Sequence, residues 1–346
     1  MSSENRRDKP MRKRFFGITL SPLLFALSFL GAFLFAHSFP AQAQQTGKVY
    51  RIGYLSSGSG IGVRETTFHQ ALRELGYIEG KNLVIEWRFA NGRVSRRPEL
   101  AAELVRLKVD CIVAAGSGET GVAQKATSAI PIVMMSSSDP VGTKFVASLA
   151  RPGGNITGLT SISGDLGGKV LALLKEIIPA LARVVGAQPS GGTTQDLFFK
   201  ETEEPARALG IKLIRVPYRG PEDFEEIFRT ATREKAGALL SRLPPTTPVA
   251  QRKRFVDLAA HNRLPAIYFE ALWTEAGGLM SYGPDRRAMD RRVAVYVDKI
   301  LKGANPADIP VERPTKFDFV INLKAAKQIG LTIPQSVLFR ATKVIK

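Results

Sequence analysis

Apolar and polar positions follow three successive patterns along this chain. The first is an almost unbroken apolar stretch from Phe15 to about Phe39, preceded by Arg6, Arg7, Lys9, Arg12, Lys13 and Arg14 and followed by Pro40-Ala41-Gln42-Ala43. The second begins at Val49, where short apolar runs alternate with segments whose apolar residues recur every three or four positions. Short apolar runs suit strands covered on both faces, and the longer spacing places apolar side chains on one face of a helix. Strands are predicted at Val49–Leu55, Leu83–Trp87, Cys111–Ala115, Ile132–Met135 and Ile156–Leu159. Between them, Phe68, Ala71, Leu72 and Leu75 share a helical face that Gly76 terminates. Pro98 opens a helix carrying Leu100, Leu104 and Leu107, and a short helix follows Ala115.

The third pattern repeats the second after the turn-rich Arg151-Pro-Gly-Gly-Asn155. Leu166, Val170, Leu173, Leu174 and Ile177 form a helix face. Strands are predicted near Val184–Ala187, Leu213–Val216, Ala238–Leu240, Ala266–Phe269, Leu279–Tyr282 and Phe317–Ile321, with a long helix near Ala288–Leu301 and a last one at Leu323–Ile329. The alternation of strand and helix predicts an α/β protein with two doubly wound parallel-sheet lobes in tandem and a cleft between them.

The first pattern reads as a secretory signal peptide, cleaved after Ala43 at an A-x-A site. Its length also admits an uncleaved transmembrane anchor, which Pro22 and the cleavage site oppose. On this reading residues 1–43 are the leader, the protein is periplasmic, and cytosolic cofactors are out of reach. About 300 residues remain, which suits two lobes rather than one core. The one cysteine, Cys111, cannot form an intramolecular disulfide and sits in an apolar run, as a core thiol would. The net charge of +18 is strongly basic, yet the basic residues are interleaved with acids, as in Arg229-Thr-Ala-Thr-Arg233-Glu-Lys235. No aromatic-interleaved basic stripe marks a nucleic-acid partner, so the charge reads as solvated surface.

In open parallel sheets, ligands bind beyond the carboxyl ends of the strands, where helix N-termini present free N–H groups. Three loops of the first lobe occupy such ends: Ser56-Ser-Gly-Ser-Gly60, Gly116-Ser-Gly-Glu-Thr-Gly121 and Ser136-Ser-Ser-Asp139. Ser56, Ser57, Gly58, Gly116, Ser117 and Ser137 are therefore candidates for holding an α-carboxylate, though each also suits ordinary N-capping. Gly116-x-Gly-x-x-Gly121 matches a dinucleotide fingerprint, but on a middle strand of a secreted chain an anion site for a small ligand explains it as well. Asp139 could meet a ligand ammonium or cap a helix beginning at Pro140, and Glu270 carries the same ambiguity. Phe269, Trp273 and Tyr282 lie near strand ends, positioned either to stack on a ligand or to fill the core. No metal-ligand spacing and no catalytic set is legible, no cofactor is expected, and His69 and His261 are isolated.

Several blocks extend the reading. They are Leu72-Arg-Glu-Leu-Gly-Tyr-Ile-Glu-Gly-Lys-Asn82, Ile130-Pro-Ile-Val133, Asp139-Pro-Val141 and Ser148-Leu-Ala-Arg-Pro-Gly-Gly-Asn-Ile-Thr-Gly158. Gly277-Gly-Leu-Met-Ser-Tyr-Gly-Pro284, Tyr296-Val-Asp-Lys-Ile-Leu-Lys-Gly303 and Pro314-Thr-Lys-Phe-Asp-Phe-Val-Ile-Asn-Leu-Lys324 follow in order. With them the chain resembles the ABC-transporter substrate-binding family that includes the tryptophan/tyrosine-type binding proteins. The resemblance implies a type I periplasmic-binding fold with a three-stranded hinge, a ligand in the cleft and no catalytic residues. By analogy, one lobe takes 48–157 and 285–313 and the other 158–284 and 314–346. Gly186-Ala-Gln-Pro-Ser-Gly-Gly192 replaces the family's Trp-Asn-Pro-like turn, which makes Gln188 a cleft candidate. The expected function is that of a monomeric solute receptor serving an ABC permease and its ATPase; a ligand-sensing module for a membrane receptor is the alternative.

Overall fold

The two runs of apolar segments become two separate sheets. The computed structural model describes residues 48–161, 166–190, 193–243 and 247–346. The predicted leader lies outside them. The first run supplies β1 (Tyr50–Ser56), α1 (Val63–Glu74), β2 (Leu83–Phe89), α2 (Arg97–Arg106), β3 (Cys111–Ala114), α3 (Ser117–Ala126), β4 (Ile132–Ser137) and β5 (Ile156–Thr160). Its five strands are all parallel, in the order β2-β1-β3-β4-β5, with Ile52 opposite Cys111 and Ile112 opposite Ile132.

The second run supplies α4 (Leu166–Ile177), β6 (Arg183–Pro189), α5 (Thr193–Ala208), β7 (Lys212–Tyr218), α6 (Phe224–Arg233) and β8 (Ala238–Ser241). It continues with α7 (Val249–His261), β9 (Ala266–Tyr268), α8 (Ala271–Glu275), β10 (Met280–Pro284), α9 (Arg286–Leu301) and β11 (Phe317–Asn322). The chain then adds α10 (Leu323–Gln328), α11 (Gln335–Leu338) and β12 (Lys343–Ile345). Seven strands form the second sheet, ordered β12-β11-β10-β9-β8-β6-β7, with β11 antiparallel to β10. The helix beginning at Leu323 is therefore not the last: four-residue α11 and three-residue β12 are too short to leave a periodic signal. Strand β9 ends at Tyr268, so Phe269 lies in the turn beyond it.

The alternation of side chains explains why both faces of each sheet are covered. On β1, β3 and β4, residues Tyr54, Val113 and Val133 face one core, while Leu55, Ile112 and Ile132 face another. The second sheet divides in the same way, with Val184, Leu240 and Ile267 on one face and Val185, Leu239 and Tyr268 on the other.

Helix α9 follows a strand of the second sheet but packs on the first, burying Met289, Val293, Tyr296 and Val297 beside Ile52 and Val133. The chain thus passes between the sheets three times, after β5, between β10 and α9, and before β11. Backbone bonds draw these passages together. Thr160 N donates to Glu312 O at 2.9 Å, and Asp285 N donates to Lys316 O at 2.9 Å. Gly158, just before the first passage, has φ of +127°, and a Cβ there would lie 2.3 Å from the Met134 carbonyl oxygen. Only glycine combines that conformation with such a close approach.

An ion pair fixes α9 to the first lobe. Arg64 of α1 donates through Nε and Nη2 to Asp290 Oδ1, both at 3.2 Å, and through Nη1 to the Ala115 carbonyl at 3.3 Å. Asp290 is 1% exposed. Burial raises its carboxyl to about 6, against the opposing pull of Arg64.

Two expectations follow. Gly158→Ala should destabilise the protein by about 2 kcal/mol or more, whereas Gly154→Ala, where an added Cβ meets nothing within 4 Å, should change stability by only about 0.5 kcal/mol. Denaturant midpoints of the two variants check this, and equal shifts would contradict it. For Asp290, the raised folded pKa means the native state holds a proton that the unfolded chain has released. That contribution is full below about pH 4 and lost as pH rises through about 6. Asp290→Asn should therefore match wild type at low pH and exceed it in stability above pH 6, as read from melts across that range. A wild type that gains on the variant with rising pH would contradict the assignment.

Candidate functional site

The strand orders locate the place where ligand is expected. In the first sheet, β1 lies between β2 and β3, so the connections diverge there and leave a crevice at the carboxyl ends of β1 and β3. In the second sheet the divergence falls between β6 and β8. The residues at these ends are Ser56–Gly58 and Ala115–Ser117 in one lobe, and Gln188 and Arg242 in the other.

In the first lobe the structure gathers most of the predicted residues around the N-terminus of α3. Ser57 Oγ donates to the Glu119 carboxylate, whose Oε1 is 3.5 Å from Arg97 Nη1. The Arg97 guanidinium lies against Gly118, where a Cβ would come within 1.8 Å of Nη1. Gly118 is thus needed for a side chain of the protein itself. At Gly121 an added Cβ would meet the Phe145 ring only at an ordinary 3.7 Å, so no close approach there requires a glycine. Gly116 is the extended residue preceding α3, and its carbonyl accepts from Thr120 N at 2.9 Å. Ser117 Oγ accepts from Ser138 N at 3.1 Å and lies 3.4 Å from Ser137 Oγ. Ser137 is buried, and its carbonyl accepts from Thr160 Oγ1 at 2.7 Å and from Ser161 N at 2.8 Å. Ser56 is also buried, and its Oγ accepts from Gly58 N at 3.1 Å.

Asp139 behaves as a local cap, but not of a helix. Residues 140–144 form turns, and Asp139 Oδ1 accepts from Gly142 N at 2.8 Å. Proline at 140 fits the turn because it lacks the N–H that a strand would need.

The second lobe contributes a charged group reaching across to the first. Glu270 is buried just after β9, and its carboxylate accepts from Arg286 Nε at 3.0 and 3.1 Å and from Arg286 Nη2. Arg286 Nη1 donates to Ser136 Oγ at 3.0 Å. Ser136 belongs to β4 of the first sheet, so one guanidinium holds the carboxyl ends of strands from both sheets together. Arg286 opens α9 directly after Asp285, whose Oδ1 caps the helix by accepting from Ala288 N at 2.9 Å.

Beside this pair stands Arg242, the residue after β8. Its guanidinium carbon is 4.3 Å from the centroid of the Phe198 ring and 5.0 Å from that of Phe269. Burial, and after it the neighbouring Arg286 charge, lowers its pKa to about 10. Phe269 meets Phe198 edge-on at 5.0 Å. Tyr282 stacks on Phe317 at 5.6 Å and meets Phe319 edge-on, placing it on the β10–β11 ladder. Trp273 is 1% exposed and stacks on Tyr268 at 5.6 Å, deep in the core. Gln188, at the end of β6, is nearly buried. A separate groove of about 520 Å³ follows the interlobe passages and is lined by Arg287, Arg292, Glu312, Arg313 and Lys316. It does not coincide with the strand-end loops. Among the described residues no group of three His, Cys, Asp or Glu side chains is placed to hold a metal ion.

Sequence reasoning named Glu270 but missed Arg242 and Arg286. A signal existed for Arg242, which follows the apolar run Ala238-Leu-Leu-Ser241 just as Glu270 follows Ala266–Phe269. Reading the arginines collectively as solvated surface hid it. Arg286 is recognisable only once α9 is seen to cross between the lobes.

Comparison with known proteins agrees with this architecture. A family model described as ABC transporter substrate binding protein matches residues 55–345. The tyrosine-binding protein of Clostridioides difficile (strain R20291) is 24% identical over 266 residues, covering 76% of this chain and 75% of that protein. Among solved structures, a conserved domain protein from Vibrio cholerae O1 biovar El Tor is 27% identical, with a TM-score of 0.78, covering 86% of this chain and 100% of that one. A Streptococcus pneumoniae ABC domain in complex with L-Trp is 24% identical, with a TM-score of 0.77, covering 86% and 99%. With five parallel strands in one lobe, seven strands in the other and a family match over nearly all of the described chain, the protein belongs to the ABC transporter substrate binding protein family.

Proposed function

We propose that this protein is the extracytoplasmic receptor of an ABC importer and that it binds an amino acid with an aromatic side chain in the cleft between its lobes. The observation that carries the reading is Arg286, bonded at once to Glu270 of the second lobe and Ser136 of the first. A solute placed at these strand ends touches both lobes, and its affinity is then coupled to their closure. The similarity to proteins described as tyrosine-binding and as holding L-Trp supports an aromatic amino acid as the solute. In this reading one lobe comprises 48–157 and 285–313 and the other 158–284 and 314–346, with the three passages as the hinge. The permease and its ATPase recognise the closed receptor, which acts as a monomer and alters no covalent bond of its cargo. Phe269 and Tyr282 offer apolar surface. Ser56, Ser57, Gly58, Gly116, Ser117, Ser137 and Gln188 supply hydrogen-bonding groups, and Asp139 stands at the rim.

The test uses protein recovered from the secreted fraction. Its N-terminus should be Gln44, and calorimetric titration with L-tyrosine and L-tryptophan should show saturable one-to-one binding, with the solute recovered unchanged by mass spectrometry. A retained apolar leader would contradict the location. Chemical conversion of the solute, or no heat with either amino acid, would contradict the receptor reading.

A further inference from the structure

The charges at the base of the cleft do not balance. Arg286 and Glu270 neutralise one another through direct hydrogen bonds. Arg242, beside them, is left over. Its guanidinium is half-buried and, among the described residues, makes no side-chain hydrogen bond or ion pair. A guanidinium carries five N–H donors, and at half-buried Arg242 they are left to the water that reaches the group. The Phe198 and Phe269 rings compensate in part, because a weakly hydrated cation is attracted to aromatic faces. They offer no acceptor in the plane of the fork. The remaining acids whose fields reach it are Glu270, already held by Arg286, and Glu201, which is exposed.

The position is as telling as the charge. Arg242 directly follows β8, and β8 and β6 flank the divergence of the second sheet. That is where ligands enter sheets of this kind. The geometry points to Arg242 as the group that selects the solute, by binding a free carboxylate. This inference rests on the receptor reading and narrows it: the solute must be a carboxylate, whereas its ammonium group is dispensable. Glu270 is a weak ammonium partner, since its charge is already neutralised by Arg286. An incoming carboxylate can accept two parallel N–H bonds from the planar fork. The burial that lowers the Arg242 pKa then favours the pair, because a bound anion replaces the water that the guanidinium has lost.

The experiment compares four probes on the wild-type mature protein by calorimetry and thermal shift: L-tyrosine, 3-(4-hydroxyphenyl)propionate, tyramine and D-glucose. Both carboxylates should bind and tyramine should not. Arg242→Gln should weaken both carboxylates by about 30-fold or more while leaving the melting temperature of the unliganded protein unchanged or raised, since it removes an unpaired charge next to Arg286. Arg242→Lys should keep the preference for acid over amine at reduced affinity. A purely structural Arg242 would instead lower the unliganded melting temperature and leave carboxylate affinity intact, which would overturn the inference. Tyramine bound as well as the acids, or glucose bound and neither acid, would also overturn it while leaving a solute receptor standing. No binding of any probe would overturn both.

Discussion

One guanidinium, Arg286, is the point on which the geometry of the cleft depends. It belongs to a helix that follows a strand of the second sheet yet packs on the first, and it bonds to Glu270 on one side and Ser136 on the other. A buried ion pair of this kind adds little net stability, but removing one partner strands the other charge at a cost of about 3–5 kcal/mol. Its value lies in position. With Arg286 in place, Glu270 has a fixed direction and its charge is neutralised, and Arg242 stands beside the pair without a salt-bridge partner among the described residues.

Small residues make that arrangement possible. Gly283 lets β10 approach the segment before Glu270 so closely that a Cβ would lie 1.9 Å from the Phe269 carbonyl oxygen. Gly118 gives the Arg97 guanidinium its place over the start of α3. In the first lobe Ser57, Ser117 and Ser137 largely satisfy one another, Glu119 and the backbone, which pre-orders the loops before any solute arrives. Pre-ordered polar groups lose less entropy on binding. Arg64 and Asp290 hold the same loops from behind through the Ala115 carbonyl.

The fold was legible because its cause is local. Alternating apolar runs such as Cys111–Ala114 and Ile132–Ser137 must be covered on both faces, and parallel strands joined by helices achieve that. The helix face from Leu166 to Ile177 was readable from spacing alone, and the helix ends at Ile177 as that spacing does. The short elements after Gln328 were not, because four-residue α11 and three-residue β12 contain no full period. The site was legible only in part. Strand-end serines and Glu270 follow from a general rule about open sheets, but the partners of each side chain depend on contacts far apart in sequence. Asp139 bonds locally to Gly142, whereas Arg286 bonds to Ser136 across 150 positions. Nothing in the residues around Arg286 announces that distance.

The central claim is that solute binds at the carboxyl ends of strands in both sheets and couples them. Hydrogen–deuterium exchange of the protein, with and without saturating L-tyrosine, tests this most directly. The account predicts added protection in the loops around residues 56–60, 115–118, 136–139, 188–190 and 242–243 and in the turn at 269–271, accompanied by changes at the three passages between lobes. Protection confined to one lobe, or centred on the groove lined by Arg287, Arg313 and Lys316, would contradict it.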